Sequence, residues 1–302
     1  MLGVVSHAAP TATAAEAYRQ RFRRVLAYID RHLDEDLSAT RLSLVAGFSR
    51  FHFHRQFSAL FGIGAVEVVQ QLRLHRAACS LAYRDTRILD IAGEAGYDSH
   101  EAFGRAFRRR FGQTPSGFRQ SPAWDDWHHH TRVLRTLRVH DMAPTHRFDD
   151  VTILHFDGAR VAALEHRGAP HRLGQTIRRF IAWRRAHRLP PSRHATYNIV
   201  HDDPVLTPDD EFRFEICTAL DGPLPPNDDG VVEKTIAAGR CAVLRHHGSD
   251  DLLGASVEFL YRQWLPQSGE EPRDAPLFMQ RVRFFPDVPE SEAITDIFLP
   301  LT

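Results

Sequence analysis

The sequence predicts two domains of different fold class. The N-terminal domain is expected to be all-α, with two helix-turn-helix units joined by a long helix, and the C-terminal domain to be α+β, made of a duplicated β-α-β-β unit. Three observations carry this prediction: a length of 302 residues with 43% apolar composition, a repeat of period 50 in the first half, and a repeat of period 80 in the second. The predicted boundaries are a disordered N-terminus over 1–18, the helical domain over 19–120, a linker over 121–150 and the α+β domain over 151–302.

The repeat of period 50 predicts two copies of one helical unit. The recurring residues are Arg55, Phe57, Phe61 and Gly62, which return as Arg105, Phe107, Phe111 and Gly112. In each copy a short apolar helix precedes a glycine that can take the positive φ of a tight turn, and a serine then caps the next helix. The glycine and serine are Gly47 and Ser49 in the first copy and Gly96 and Ser99 in the second. This order of elements is the pattern of a helix-turn-helix unit, and residues 65–83 suit the long helix between the two units.

The charge is distributed unevenly along the chain. Residues 1–120 contain 17 Arg, no Lys and 11 acidic residues, a net charge of +6, whereas residues 121–302 have a net charge of −6. A basic half favours a polyanionic partner such as nucleic acid, although ordinary solvated surface charge is the alternative.

The second helix of each unit has polar residues on its outer face. A recognition helix places its N-terminal residues in the major groove, where Arg can pair with guanine or phosphate. These residues are Arg50, His54 and Arg55 in the first copy, and His100, Glu101, Arg105, Arg108 and Arg109 in the second. Ion pairs or contacts with helix C-termini are the alternative for Arg55 and Arg105. Phe51 lies on the same face, where it either contacts a thymine methyl group or is half buried.

Residues 37–119 resemble the DNA-binding domain of the AraC/XylS family. The most specific match is the second unit, with Asp90-Ile91-Ala92, Ala95-Gly96-Tyr97, Phe103-Gly104-Arg105-Ala106-Phe107 and Phe111-Gly112-Gln113-Thr114-Pro115. The resemblance implies that both units read successive major-groove segments. It implies base contacts for Phe51, His54, Arg55, His100, Glu101 and Arg105, and a phosphate contact for Arg50; Arg109 is a further DNA-binding candidate. Two departures are Gly93 inside a short helix, which costs about 1 kcal/mol relative to alanine, and the negative charge of Glu101 near phosphates.

The repeat of period 80 predicts the duplicated unit of the second half. The recurring residues are Arg160, Ala162, Leu164, His166, Gly168, Leu173 and Gly174, which return as Arg240, Ala242, Leu244, His246, Gly248, Leu253 and Gly254. Each copy has a strand-like run, a glycine, an amphipathic helix and two further strand-like runs. A groove between two related halves is a natural ligand pocket.

Residues 160–302 resemble the GyrI-like small-molecule-binding domain. The matching segments are Val161 to Gly168, His201-Asp202-Asp203-Pro204 and the closing run from Thr295 to Leu301. The resemblance implies a sensor of hydrophobic, often cationic compounds, held by aromatic side chains and a central carboxylate. Where relatives often have a glutamate in the penultimate strand, this chain reads Phe278-Met279-Gln280-Arg281. Glu215 could substitute for that carboxylate, but it is expected to be an exposed strand residue. The pocket candidates are Trp183, Tyr197, Phe214, Tyr261, Trp264 and Phe278, each of which is individually more typical of a core.

The leading functional hypothesis is a DNA-binding transcription regulator that senses a small hydrophobic or cationic ligand. Its expected partners are double-stranded DNA and a small-molecule effector, with RNA polymerase as a further candidate. The alternatives are a GyrI-like hydrolase and a protein-interaction module attached to the DNA-binding domain. An enzyme is not expected, because the sequence has no nucleophile elbow, paired-carboxylate motif or metal-ligand spacing. The repeated His166 and His246 are interpreted as fold geometry.

Other features of the sequence bear on cellular location and on metal or cofactor binding. Cys79, Cys217 and Cys241 are far apart, so neither a disulfide framework nor a thiolate metal site is predicted. The run His128-His129-His130 is interpreted as part of a polar linker rather than as a metal site. No apolar run is long enough to span a membrane and no secretory signal is evident, so a cytoplasmic protein without cofactors or metals is expected.

Overall fold

The computed structural model describes residues 12–129, 131 and 144–302. Within them, the residues up to Arg73 form one compact unit and those from Leu74 to Thr302 form a second. This division lies inside the long helix between the two helix-turn-helix units and not in the segment expected to be a linker. The predicted domain boundaries at residues 120 and 150 stay predictions.

The N-terminal half is helical. α1 begins inside the segment expected to be disordered, because residues 12–17 are rich in alanine, which has the highest helix propensity; residues 1–11 lie outside the described part. The helices are α1 (Ala12–Arg31), α2 (Ala39–Ala46), α3 (Arg50–Phe61), α4 (Ala65–Tyr83), α5 (Ile88–Glu94), α6 (His100–Phe111), α7 (Pro115–Gln120) and α8 (residues 124–129). α8 lies in the predicted linker and includes His128 and His129; His130 is outside the described residues.

The first unit is built around aromatic rings from α1 and α3. Phe22 of α1 stacks on Phe53, with ring centroids 6.4 Å apart, and meets Phe57 edge-on at 6.2 Å. α2 ends at Gly47, whose φ of 69° gives the turn predicted for it, and α3 begins after Ser49, whose hydroxyl accepts a hydrogen bond from the His52 amide. The apolar face of α3 is therefore buried and its polar face points outward.

The second helix-turn-helix is part of the second unit and repeats the first. Gly96 has a φ of 79°, and the Ser99 hydroxyl accepts a hydrogen bond from the Ala102 amide at 3.1 Å. Phe103, Phe107 and Phe111 of α6 are all buried. Their cluster also contains residues of α4 and α5, Phe118 and Trp124. α3 and α6 have the same length of 12 residues, a serine N-cap and a glycine C-cap.

The C-terminal half contains an antiparallel sheet. The strands are β1 (Val151–Phe156), β2 (Ala159–Arg167), β3 (Thr196–Val200), β4 (Arg213–Ala219), β5 (Val232–Ile236), β6 (Gly239–His247), β7 (Leu277–Arg283) and β8 (Ile294–Pro300). Among the described residues these eight strands have the order β1-β6-β8-β7-β3-β4-β2-β5. The helices of this half are α9 (Leu173–Ala186) and α10, which is the continuous run of Leu253–Phe259, the π-helical Leu260–Trp264 and Leu265–Ser268.

The two halves of the sheet have the same order of elements. Each contains two strands, a helix and two strands, so the predicted β-α-β-β unit lacked its first strand. These first strands, β1 and β5, lie at the two edges and pair with the second strand of the other half, β6 and β2. β1 is largely exposed, so its sequence does not show the apolar alternation of a half-buried strand.

Residues on the two sides of the sheet form different clusters. On one side, Phe180 and Trp183 of α9 and Leu260 and Trp264 of α10 cover the strands. The cluster on the other side consists, among the described residues, of strand residues and Ala195, with no helix over it. We call this side the helix-free face. Its fully or partly buried members are Phe156, Ala159, Val161, Ala163, Ala195, Tyr197, Ile199, Cys217, Ala219, Ile236, Cys241, Val243, Phe278 and Phe298.

The two repeated histidines are buried at equivalent strand ends. The Nδ1 atom of His166 lies 2.8 Å from the Thr176 hydroxyl, and that of His246 lies 2.8 Å from the Ser256 hydroxyl. The Nε2 atom of each ring faces a backbone carbonyl three residues on, at 3.2 and 3.1 Å. Burial lowers the pKa of His246. Both rings therefore join the end of a strand to the following helix.

Candidate functional site

The outer face of α3 presents the residues expected to contact DNA. Arg50, Phe51, His54 and Arg55 are all exposed, and 66% of Phe51 is accessible to solvent. The Arg55 guanidinium lies 5.7 Å from the centre of the Phe51 ring, within range of a cation–π interaction. Phe51 is thus exposed rather than half buried, and it limits the orientations available to Arg55.

The outer face of α6 is the equivalent surface of the second unit. His100, Glu101, Arg105 and Arg109 are all exposed, as is Arg108. Arg105 lies at the same position in α6 as Arg55 in α3, six residues after the serine N-cap. The C-terminal turn of α6 carries Arg108, Arg109 and Arg110. This concentration of positive charge suits the phosphates of a nucleic acid.

Glu101 also has a role in the helix start. Its own backbone amide and the Ser99 hydroxyl donate hydrogen bonds that lower the pKa of its carboxyl group. A carboxylate in the first turn of a helix interacts favourably with the helix dipole. The negative charge of Glu101, which the resemblance left unexplained, is therefore stabilised by the N-terminus of α6 itself.

The helix-free face contains an aromatic cluster at the centre of the sheet. The Phe278 ring lies 4.7 Å from that of Phe298 and 4.9 Å from that of Phe156, and Tyr197 lies 6.1 Å from Phe156. Tyr197 comes from β3 and Phe278 from β7, the two central strands that join the halves of the sheet. Two of the six ligand candidates, Tyr197 and Phe278, are therefore in this cluster.

The other four candidates lie elsewhere. Trp183 and Trp264 belong to the helices and are buried in the clusters between helix and sheet, and Phe214 packs against the Trp183 cluster. Tyr261 of α10 is 43% exposed. Phe156 and Phe298 were missed by the sequence analysis. Side chains along a strand alternate between the two faces of the sheet, and this alternation assigns Phe298 to one face of β8 just as it assigns Phe278 to one face of β7. It was the signal in the sequence that could have identified Phe298.

Glu215 is buried on the helix-free face, so the expectation that it is exposed was wrong. It is 1% exposed and shares its side of β4 with Cys217. Its Oε1 atom accepts hydrogen bonds from His201 Nε2, at 2.9 Å, and from Lys234 Nζ. Burial alone would raise the pKa of Glu215, but these two hydrogen bonds outweigh it, and the pKa lies below its ordinary value.

A second carboxylate occupies the matching place in the other half. Asp296 on β8 is 9% exposed and accepts two hydrogen bonds from the Arg245 guanidinium, at 2.7 and 2.8 Å. Gln280, in the run where the resemblance leads one to expect a glutamate, lies opposite Asp296 on one side and Tyr197 on the other. The helix-free face thus has two buried carboxylates, each with a basic partner, and an uncharged amide between them in the sheet. The exposed Glu165 lies opposite Glu215 on the same side.

Helix α9 packs against the second helix-turn-helix unit. A Cβ atom added to Gly174 would lie 2.5 Å from Trp124, so glycine allows the helix to approach this ring closely. Trp124 in turn stacks on Tyr83 at the end of α4, with centroids 5.9 Å apart, and meets Phe118 of α7. Trp124 therefore contributes to the core of the helix-turn-helix and also contacts the helix that covers the sheet.

Polar contacts reinforce this packing. Arg178 of α9 donates a hydrogen bond to the Arg119 carbonyl at 2.5 Å, and Arg185 donates one to the Tyr83 carbonyl at 2.8 Å. Arg172 forms a bidentate ion pair with Asp125, at 3.0 and 2.8 Å. We call the set Gly174, Arg172, Arg178 and Arg185 with their partners the α9 interface.

The described residues contain neither a metal-binding cluster nor a membrane-spanning helix. In the part of the chain that the structure describes, no group of three His, Cys, Asp or Glu residues is arranged to hold a metal ion. None of the helices described is long and apolar enough to cross a membrane.

Comparison with known families gives two matches. A family model described as a GyrI-like small molecule binding domain matches residues 149–302, and one described as a helix-turn-helix domain matches residues 42–121. The first covers slightly more than half of the chain. The two matched segments contain, respectively, the sheet with its helix-free face and both candidate recognition helices.

The curated relatives each match half of the chain or less. The probable transcriptional regulator YgiV of Escherichia coli (strain K12) is 37% identical over 153 residues, which are 50% of this chain and 96% of YgiV. The right origin-binding protein of the same strain is 36% identical over 127 residues, 42% of this chain and 43% of that protein. The transcriptional regulator Rob of Salmonella typhimurium is 35% identical over 127 residues, with the same coverage. This chain thus spans less than half the length of the latter two relatives.

Two solved structures are similar to parts of the chain. The DNA-binding domain of AdpA in complex with a target DNA is 30% identical and covers 32% of this chain and 87% of that one, with a TM-score of 0.31. The EcmrR C-terminal domain is 14% identical and covers 50% of this chain and 96% of that one, with a TM-score of 0.41.

Proposed function

Since the chain belongs to the GyrI-like small molecule binding family and has an AraC-type helix-turn-helix DNA-binding domain before that region, we propose that it is a transcription regulator whose DNA binding responds to a ligand on the helix-free face. The observation that carries the DNA-binding part is the matched exposure of α3 and α6. Both helices have the same length, caps and register, and both present an exposed arginine at the same position, Arg55 and Arg105.

Base reading by these residues is the finer part of the proposal. Arg55 and Arg105 would pair with guanine edges, and Phe51, His54, His100 and Glu101 would face neighbouring bases. Arg50 and Arg109 would bind phosphate and position each helix without reading sequence. Replacing a base-reading arginine should reduce affinity for the specific site and relax the preference at one base pair, whereas replacing Arg50 or Arg109 should weaken all sequences alike.

The test of this part uses the full chain and a duplex selected for tight binding. We expect affinity for the specific duplex to fall steeply with salt, because bound counterions are released from the phosphates. Arg109→Ala should reduce that slope by about 1 and leave the ratio of specific to non-specific affinity unchanged. A slope that does not change, or a ratio that collapses, would contradict the phosphate role of Arg109.

The α9 interface supports the responsive part of the proposal. α9 covers the sheet on one side and contacts α4, α7 and α8 on the other, so a ligand that alters the sheet would change the contacts of the second helix-turn-helix unit. A ligand shifts such an equilibrium only by its difference in affinity for the two arrangements. The coupling would therefore appear as a change in DNA affinity when ligand binds.

Two neighbouring arginines of α9 provide a matched test of this coupling. Arg178 bonds the Arg119 carbonyl of α7, whereas Arg179 bonds the Asp229 carbonyl in the sheet half, at 3.0 Å. Hydrogen exchange at the amides of α6 and α7 should become faster in Arg178→Ala and stay unchanged in Arg179→Ala. Equal exchange in both variants would mean that α9 does not stabilise the recognition unit.

The proposal assigns no catalytic activity to the chain. The two repeated histidines use both ring nitrogens in contacts that close a strand-to-helix junction, which explains their repetition without chemistry. A cytoplasmic location and a contact with RNA polymerase belong to the same proposal and follow from the regulatory role alone.

A further inference from the structure

Lys234 is the only lysine of the chain. All other residues in the total of 38 Lys and Arg are arginines. It lies on β5 opposite Val161, a member of the helix-free face, and its ammonium group bonds the buried Glu215. An ammonium is a compact point charge, whereas a guanidinium carries its single positive charge on a broad planar fork. The single lysine places this compact charge beside the buried carboxylate.

The carboxylate that it contacts has one unused oxygen. Both hydrogen bonds given to Glu215, from His201 and Lys234, reach Oε1. Within the described part of the chain, Oε2 is buried and has no hydrogen-bond partner. A buried acceptor left without a donor is costly, and in native proteins such an atom calls for an explanation. A donor supplied by a ligand would satisfy it.

The neighbours of Glu215 on the same side of the sheet are apolar on β3 and toward Cys217, whereas the exposed Glu165 lies directly opposite it on β2. Across the strands it lies opposite Ile199, which in turn lies opposite Phe278 of the aromatic cluster. Cys217 follows two residues later on the same side. A ligand that donates to Oε2 would therefore place the rest of its surface against aromatic and aliphatic side chains, where burial of apolar area favours binding.

The charges on this face are already balanced. The Glu215 charge is offset by the Lys234 ammonium, and the Asp296 charge by the Arg245 guanidinium. Gln280 adds no charge between them. The exposed Glu165, opposite Glu215 on β2, is offset by the Arg167 guanidinium at 3.4 Å. A cation placed next to Glu215 would be attracted by the carboxylate and repelled by the ammonium at similar distance, so little net attraction would remain to offset its loss of hydration.

We propose that the helix-free face selects an uncharged aromatic ligand with a hydroxyl or N–H group that donates to Glu215 Oε2, and that Lys234 excludes organic cations. This inference rests on the proposed function, since it names the ligand class of the same domain. It differs from the hydrophobic or cationic ligand expected from the family resemblance because the carboxylate here has its own basic partners.

The test compares three probes that share one aromatic skeleton, titrated calorimetrically into the full chain. They are 2-naphthol, 2-methoxynaphthalene and a trimethylammonium naphthalene, which respectively supply a donor, no donor and a positive charge. We expect wild type to bind 2-naphthol about tenfold more tightly than 2-methoxynaphthalene, because a hydrogen bond to a charged acceptor contributes at least that factor. The ammonium probe should bind no more tightly than the methoxy probe.

The variant Lys234→Met tests the exclusion directly. Removing the ammonium leaves the Glu215 charge offset only by its hydrogen bond from His201, so affinity for the ammonium probe should rise about tenfold. Lys234→Arg keeps the charge and is the matched control, in which the ammonium probe should still bind weakly. Thermal unfolding of wild type and both variants checks that each variant is folded before its affinities are compared.

The outcomes separate this inference from the proposed function. Tighter binding of the ammonium probe than of 2-naphthol by wild type, or an unchanged affinity for it in folded Lys234→Met, would overturn the inference while leaving a ligand-binding face intact. If none of the probes binds any variant, the proposed ligand role of the helix-free face is itself contradicted.

Discussion

Gly174→Ala tests the α9 interface through a single added methyl group. The new Cβ would lie 2.5, 2.7 and 2.9 Å from three carbons of the Trp124 ring. Since carbon atoms pack best at about 3.5–4.0 Å, the ring would have to move by about 1 Å. Trp124 is 8% exposed and packed among other aromatic rings, so the movement is not free. Overpacking of this kind costs about 1–3 kcal/mol.

The equivalent glycine of the other half provides the control. Gly254 is the second residue of α10 just as Gly174 is the second of α9, and a Cβ at Gly254 meets no atom within 4 Å. Replacing glycine by alanine in a helix stabilises by up to about 1 kcal/mol, and this gain is common to both variants. The difference between them therefore isolates the contact with Trp124.

Thermal and denaturant unfolding of the two variants give the measurement. We expect Gly254→Ala to be as stable as wild type or slightly more stable, and Gly174→Ala to be about 1–3 kcal/mol less stable than Gly254→Ala. For a unit of this size each kcal/mol corresponds to a shift of about 2–4 °C in Tm. Equal stability of the two variants would refute the close packing of α9 on Trp124 and, with it, the proposed route of coupling.

Three further predictions concern the recognition helices and the buried carboxylate. Arg55→Ala and Arg105→Ala should each weaken binding to a selected duplex by about 1–3 kcal/mol in an anisotropy titration, and unchanged affinity in both would remove their base-reading role. Ser99→Ala should lower the free energy of unfolding by about 1 kcal/mol because the α6 N-cap is lost, whereas Ser99→Asp, which keeps a capping oxygen, should not. Because the pKa of Glu215 is held below its ordinary value of 4.5, its ionised form stabilises the fold above that pH. The stability difference between wild type and Glu215→Gln should therefore shrink as the pH falls below this value; a constant difference would contradict the role of its charge.

The helix-turn-helix units were predictable because their signals are local. In each unit a glycine with positive φ forms the turn after the first helix, and a serine N-cap begins the second helix. These residues are visible in the sequence as Gly47 and Ser49 in the first unit and Gly96 and Ser99 in the second. The repeat then ties the two copies to one register, so the exposed faces of α3 and α6 follow from the sequence. Only the start of α1 at Ala12 was missed, because the composition of residues 1–18 suggested disorder.

The ligand face was less predictable because it depends on pairing between distant strands. The aromatic candidates were chosen by residue type, and the side of the sheet on which each lies follows only from strand boundaries and register. Trp183 and Trp264 were therefore grouped with Tyr197 and Phe278. In the structure the two tryptophans lie on the helix-covered side of the sheet, and Tyr197 and Phe278 lie on the helix-free face. Glu215 has no local signal of burial, since its partner Lys234 comes from a strand whose existence was not predicted.

Selection of bound duplexes from a random-sequence library by the full chain tests the central claim most directly. We predict one enriched motif with two short conserved segments about one helical turn of DNA apart, one for each recognition helix. Arg55→Ala should make one segment degenerate and Arg105→Ala the other. Failure to enrich a motif, or a motif that both variants select unchanged, would contradict sequence-specific binding by α3 and α6.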